Sequence, residues 1–404
     1  MKRILLFLSI LLFVSCSRNQ VLTESQKHIQ NLNRKAFNER LYDSKYALLC
    51  ADSALRLLYA DSLNLMEINP DFYYNNVARA LNSMAYENFL LSDFEKANEN
   101  INSFYKIKES FPKIEAELHI AQIINAKMMM RLRVSWKADE LLKMSECRHE
   151  PKDTLCFWAK SQYYVTKLFL NCFYRDGKYQ YNELVKTLNE IEQDNVNQKL
   201  MIDETQAYTL YYSLTESCQI LARISNFYQN EEGKNVFYIK KSIDYLKKSM
   251  ILMDENQRVS NYDLANNLQT LAGIINDINK NSDYNSVIGD LNDILLILNS
   301  NSEKFGMNYD IKIGVFDNEL KMNLLLHADS LFYQIRNPYQ IIASKSMIAD
   351  FYIRDSMFVE ARPYLLFAKN FMDSINNNER EDMPPIYKFK TPLPRWLNGF
   401  ISDL

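Results

Sequence analysis

The sequence predicts an all-α chain of antiparallel helices stacked in chain order, and three observations carry that prediction. Only 7 of 404 residues are Gly and 9 are Pro, far below the usual shares of roughly 7% and 5%. Sandwiches, propellers and Rossmann-type sheets draw on those residues for φ > 0 and tight corners. Apolar residues recur at helical spacing along most of the length, as a helix with one buried face requires. The few breakers fall in short gaps between periodic segments, at Asn69-Pro70, Phe111-Pro112, Asp176-Gly177, Glu232-Gly233 and Asn337-Pro338. Short links between helices imply antiparallel neighbours. An apolar content of 47% excludes disorder as a description of the whole.

At the N-terminus a cationic Met1-Lys2-Arg3 precedes the apolar run Ile4 to Val14, then Ser15-Cys16. That is the layout of a secretory signal. A run of about eleven residues at about 1.5 Å each is too short to cross a hydrocarbon layer of roughly 30 Å. Cys16, directly after Phe13-Val14-Ser15, resembles the cysteine of a bacterial lipobox, which is lipidated and becomes the first mature residue. Residues 17–20 carry no acidic run, which favours a periplasm-facing anchor.

Periodicity then predicts helices over 25–40, 44–61, 71–91, 94–110, 113–133, 136–145, 153–174, 179–194, 203–229, 236–253, 261–279, 284–299, 317–336, 338–354, 357–374 and 394–403. The division is a signal over 1–15, a helical array over 16–375, and a Pro/Asn-rich linker with a terminal amphipathic helix over 376–404. Five cysteines beyond Cys16 stand at irregular spacings: Cys50, Cys147, Cys156, Cys172 and Cys218. That is not a disulfide framework. Buried thiols on helices are the plainer expectation, with a Cys147–Cys156 bond left open.

Internal repetition comes next. Ala85 is followed by Phe94, Ala97, Ile101 and Phe104, and Ala349 at the same offsets by Phe358, Ala361, Leu365 and Ala368. Ala47, Ala51 and Ala54 repeat the small-residue stripe nearer the N-terminus. This pattern resembles the tetratricopeptide (TPR) repeat, in which a small residue on the first helix lets the second approach and an aromatic fills the crossing. Asn88 departs from the tyrosine that the family prefers and that Tyr352 supplies in the later copy, and no strict 34-residue period runs between 120 and 340. The alternative is an irregular helical bundle.

The chemistry-bearing motifs are absent: no phosphate loop, dinucleotide fingerprint, HExxH, nucleophile elbow or CxxC pair occurs. Glu115 and His119 share a helix face, but two ligands do not make a metal site. Met128-Met129-Met130 points three ways around one helix and reads as gap-filling. The 26 tyrosines, clustered at Tyr73-Tyr74, Tyr163-Tyr164 and Tyr208, Tyr211 and Tyr212, read first as core packing, with a ligand groove open to them. A formal charge of −3 offers no basic excess for nucleic acid.

Several segments, Leu22-Thr23-Glu24-Ser25-Gln26-Lys27, Cys50 to Leu55, Val77 to Asn82 and Pro394-Arg395-Trp396-Leu397, give the whole a resemblance to the periplasmic sensory half of Bacteroidales TPR-type regulators. In those a histidine kinase or DNA-binding output follows across the membrane. The resemblance implies a membrane-anchored sensor or interaction protein and not an enzyme, with no cofactor. It would bind a peptide or partner protein, such as a separate sensor kinase, in a concave groove. On the two matching units the groove positions are Arg79, Asn82, Tyr86 and Phe89, then Ser346, Asp350 and Ile353. The helix opening near Pro394 implies either a shortened product lacking its output half or a stand-alone sensor. The alternative is a SusD-like glycan-binding lipoprotein, against which 7 Gly and 3 Trp argue, because the sugar platforms of that group are rich in both.

Overall fold

A computed structural model describes residues 22–376, except 41, 133, 147–153, 197–203, 229–232, 257 and 281–285. The described residues form sixteen helices and no strand. In chain order these are α1 (Glu24–Glu39), α2 (Ser44–Ala60), α3 (Ser62–Ile68), α4 (Pro70–Leu90), α5 (Phe94–Ser110), α6 (Glu115–Arg131), α7 (Ser135–Met144) and α8 (Thr154–Phe173). They continue with α9 (Gly177–Val196), α10 (Glu204–Tyr228), α11 (Lys234–Glu255), α12 (Asn261–Lys280), α13 (Ile288–Ser300), α14 (Asn318–Gln334), α15 (Pro338–Arg354) and α16 (Phe358–Asn376). The signal segment, the proline-rich linker and the expected helix over 394–403 lie outside the described residues.

Fifteen of these helices follow the periodicity, and α3 is the one it misses. With seven residues, of which only Leu65 is buried while Leu63 is 82% exposed, α3 is too short to repeat an apolar face. Helix starts follow local chemistry. The side chains of Asp43, Asn69, Asp93, Asp317 and Asn337 accept from the backbone N–H three residues on, at 2.8–3.2 Å. Each such cap stabilises by about 1 kcal/mol. Thr23 and Gln26 form a reciprocal capping box ahead of α1. The breakers Asn69-Pro70 and Asn337-Pro338 are therefore start signals, with Asn at the cap and Pro at the first helical position, where no N–H is needed.

The helices pack in two rows. One row runs α1, α4, α6, α8, α10, α12 and α14, each touching the next. In the other, α2 packs on α1 and α4, α5 on α4 and α6, α7 on α6 and α8, α9 on α8 and α10, and α11 on α10, α12 and α13. At the end α15 packs on α14 and α16 on α15. Two large apolar clusters result, one over α1–α6 with the start of α8, the other running from Phe94 and the inner residues of α6 through α7 and α8 to α16, with smaller ones around Ala349 and around Ala51. Phe89 packs against both large clusters.

The two units matched by the repeat pattern share a turn. Ser92 and Ser356 both take left-handed φ, at 63° and 59°. Ser92 N donates to Phe89 O and Asp93 N to Asn88 O, while Ser356 N donates to Ile353 O and Met357 N to Tyr352 O. Ala85, Phe94, Ala97, Ile101 and Phe104 are all buried, as are Ala349, Ala361, Leu365 and Ala368. Phe358 differs: it is 49% exposed where Phe94 is 7%, because no later described helix packs over α16.

Side chains also join distant turns of the chain. Arg258 forks onto Glu39 at 2.9 and 3.0 Å, Asn337 Nδ2 donates to the Leu90 carbonyl at 3.1 Å, and the Arg131 guanidinium lies 3.7 Å from the Tyr339 ring centroid. The ends of α1, α4 and α6 thus meet the starts of α12 and α15, so the rows curl upon themselves. Asn337 serves twice, capping α15 and satisfying a last-turn carbonyl of α4. Asn337→Ala is expected to lower stability by about 1–2 kcal/mol, a cap plus a hydrogen bond, and to speed amide exchange in the last turn of α4. A change confined to α15 would show that the link to Leu90 contributes nothing.

Candidate functional site

The face that the first row turns into the curl carries the residues with chemical potential. On α4, Arg79, Asn82 and Tyr86 stand three and four residues apart, which places them on one side of the helix. Arg79 pairs with Glu117 of α6 at 3.2 Å, and Asn82 Nδ2 donates to the Glu117 carbonyl at 2.8 Å. Together with Phe37, Arg40, Glu87 and Trp158 they line a cavity of about 20 Å³, room for a single water. Trp158 meets Phe37 and Tyr86 edge-on at 5.6 and 5.5 Å. The Arg40 guanidinium sits 3.7 Å from the Phe37 centroid and 5.0 Å from that of Trp158. Glu87 is fully buried, and neither carboxylate oxygen makes a well-aligned hydrogen bond. Burial holds its carboxyl well above the usual range, against the weaker pull of the Ser44 hydroxyl and Arg40.

Further along the same face stand Lys127 and Arg131, one turn apart on α6. Lys127 Nζ donates to Gln162 Oε1 at 2.6 Å and lies 5.4 Å from the Tyr86 ring. Burial, then the Arg131 charge, lowers its pKa to about 7. Arg131 lies between Tyr339 and Phe169 (centroids at 3.7 and 5.4 Å), and its Nη1 is buried without a hydrogen-bond partner. Across the curl, Gln340 Nε2 donates to the Tyr262 hydroxyl at 3.0 Å. Neighbouring Asp263 is fully buried, accepts from Thr209 Oγ1 at 3.3 Å, and has its pKa raised to about 6 by burial. On α10, burial raises Glu216 to about 7, and Asp277 of α12 receives both Gln219 (3.0 Å) and Arg223 (2.9 Å). Gly273 makes that approach possible, since a Cβ there would stand 2.8 Å from Gln219 Nε2. Lys127, Arg131, Tyr212, Glu216 and Tyr262 are half-buried, so a solute reaching the interior would touch them.

Three of the seven groove positions, Arg79, Asn82 and Tyr86, meet at the cleft. Phe89 lies elsewhere, 5.9 Å from Phe94 between the two apolar clusters. None of the second set lines the cleft: Ser346 Oγ donates to the Ile342 carbonyl, Asp350 pairs with Arg354 at 2.7 Å, and Ile353 packs on the cluster of Ala349, Ala361 and Leu365. Cys16, Cys147 and the side chains of Glu115 and Tyr208 fall outside what is described. Cys50, Cys172 and Cys218 are buried, and Met128 and Met130 fill separate clusters with Met129 packed alongside. Tyr73, Tyr163 and Tyr164 are buried, while Tyr211 and Tyr212 are half-buried. No group of three or more His, Cys, Asp or Glu able to hold a metal occurs among the described residues, and none of the described helices is long and apolar enough to cross a membrane. Sequence reasoning missed Arg40, Glu87, Lys127, Arg131, Glu216 and Asp263. The one signal available was charge at apolar-face positions, as in Ala126-Lys127-Met128-Met129-Met130-Arg131.

No protein-family model matches the chain, and neither a curated protein nor a solved structure shows significant similarity to it.

Proposed function

We propose that this chain is a TPR-like helical array acting as a membrane-anchored interaction or sensor protein, a binding module and not an enzyme. A peptide or a segment of a partner protein, such as a separate sensor kinase, is held on the face that the first row turns inward. The observation that carries the reading is the composition of that face. Arg79, Lys127, Arg131, Tyr212 and Tyr262 combine cationic and amphipathic aromatic groups, the side chains that dominate recognition surfaces, on rigid helices. The two-row packing and the shared Ser92 and Ser356 turns support the repeat assignment. In such arrays each unit contacts its neighbours, so small rotations accumulate. The Glu39–Arg258 and Leu90–Asn337 links would open or tighten as curvature changes, which turns occupancy into a signal. Lipid on Cys16 would hold the module to a membrane, facing the periplasm.

Two measurements test this. The soluble chain beginning at residue 17 is expected to select peptides from a displayed library, and Arg79→Glu is expected to weaken the selected peptides about tenfold. Retention of specific oligosaccharides with no selected peptide would instead establish the glycan-binding alternative. Cys16→Ser is expected to move the full chain from membrane to soluble fraction. A variant that still sediments after a salt wash would defeat the lipid-anchor half of the reading.

A further inference from the structure

The least expected feature of the interior is a pair of cations with no counter-charge among the described residues. Lys127 and Arg131 share one face of α6 a single turn apart, where like charges repel. No carboxylate pairs with either among the described residues; Lys127 bonds the neutral Gln162 and Arg131 rests on Tyr339. The titratable and charged groups around them are the phenols of Tyr86, Tyr174, Tyr262 and Tyr339, besides each other. The acids on the inward face have other neighbours: Glu117 pairs with Arg79, Asp277 with Arg223 and Gln219, Asp263 accepts from Thr209, Glu216 faces Tyr212 and Arg223, and Glu87 faces Ser44 and Arg40. A desolvated cation without a partner is costly, and two side by side more so. A protein has two remedies, loss of the lysine proton or an anion brought from outside.

We propose that Lys127 and Arg131 form a binding site for an oxyanion group, a carboxylate or a phosphate, carried by a ligand that enters the interior. The guanidinium offers a planar donor pair matched to either group, with Nη1 lacking a partner. Lys127 Nζ adds a point charge, and Gln162, Tyr262 and Tyr339 border the site with polar atoms. The aromatic lining from Tyr86, Phe169 and Tyr339 suits the apolar remainder of such a ligand. Binding is coupled to protons: an anion favours charged Lys127, so near pH 7 the site takes up a proton as it fills. This deepens the proposed binding face by giving its ligand a chemical class, and it rests on that reading for the route of entry.

The test is a titration of the full chain carrying ¹³C-labelled lysine, followed by the Lys127 Cε shift, with inorganic phosphate in one arm and acetate in the other. Either anion is expected to raise the Lys127 pKa, by about one unit for every tenfold difference in affinity between its charged and neutral states. Whichever anion moves it further identifies the source. Arg131→Gln is expected to weaken binding at least tenfold, and Lys127→Arg to keep binding while abolishing the proton uptake. Arg223→Gln, at a cation already paired with Asp277, is expected to change neither. A Lys127 titration that neither anion moves, or one moved equally in Arg131→Gln, overturns the proposal. Because the lysine reports the anion directly, a failed peptide selection alongside a shifted titration would count against the peptide reading alone.

Discussion

Phe104→Ala is expected to lower the stability of the chain by about 3–5 kcal/mol, the range for deleting a fully buried aromatic ring. Phe104 lies on α5 with no exposed surface, inside the cluster built by Ala97, Ile101, Ile114, Ile120 and Ile124. The ring occupies the crossing between rows, and the helices around it are held by capped ends and short links. They can close only part of the cavity, so both the lost transfer energy and the lost contacts remain. The damage should stay regional. The cluster containing Phe104 ends near Trp158, and the one that supports α9–α16 meets it only on α5, α6 and α8 and at Phe89. Urea unfolding followed by circular dichroism is expected to show an early transition in the variant that is absent from the parent. Amide exchange should assign it to α2–α6 while α11–α14 stay protected. A single shifted transition, or a loss below about 1 kcal/mol, would mean that the two clusters unfold as one or that the site repacks.

Stability is expected to pass through a minimum near pH 7, unlike that of most proteins, which peaks between about pH 5 and 8. Burial raises Glu87 well above 4.5, Glu216 to about 7, and Asp263 from 3.8 to about 6. In each case the folded state holds its proton more tightly than the unfolded chain does. That contribution is complete below the unfolded values and is lost as pH rises through the folded ones, a window from about pH 4 to 7 for Asp263 and Glu216, with the Glu87 share lost as its own raised value is passed. Lys127 runs the other way. Its folded pKa of about 7 lies under the unfolded 10.5, so the neutral amine favours folding progressively as pH rises from 7 towards 10. A fully buried group changes stability by up to about 1.4 kcal/mol per pH unit inside its window; Glu216 and Lys127, partly in contact with water, give less. Urea midpoints at pH 5, 7 and 9 measure the curve. Glu87→Gln keeps the shape and removes the charge, so it should flatten the limb between pH 5 and 7, and Lys127→Met the limb between 7 and 9. A stability maximum at pH 7 in the parent would show that these groups are solvated or rearranged on ionisation.

Helical content, element order and most boundaries were legible in the sequence, because local causes set them. Asn69 and Asn337 cap their helices with their own side chains, Pro70 and Pro338 suit the first turn, and the spacing Ala85–Phe94–Ala97–Ile101–Phe104 sets which faces meet. These interactions span a few residues and need no distant partner. The exceptions follow the same rule in reverse. Helix α3 has too few residues to show a period, and Phe358 matches Phe94 in sequence yet is exposed because burial depends on a neighbour that the local pattern cannot supply. The site was legible only in part. Arg79, Asn82 and Tyr86 share a helix face whatever lies opposite, whereas Phe89, on the same helix, turned out to join two cores. Beyond charge at apolar-face positions, as at Lys127 and Arg131, nothing in their surroundings in sequence marks Arg40, Glu87, Lys127, Arg131, Glu216 and Asp263, since desolvation and uncompensated charge arise only when helices far apart in the chain face one another. Glu39 and Arg258, or Arg131 and Tyr339, meet across more than two hundred residues. The sequence alone determined which segments are helical and which stripes they bury. The curl that brings those distant side chains together, and with it the electrostatics of the interior, was decided by tertiary packing, because an ionisable group's energy depends on everything around it and not on its neighbours in the chain.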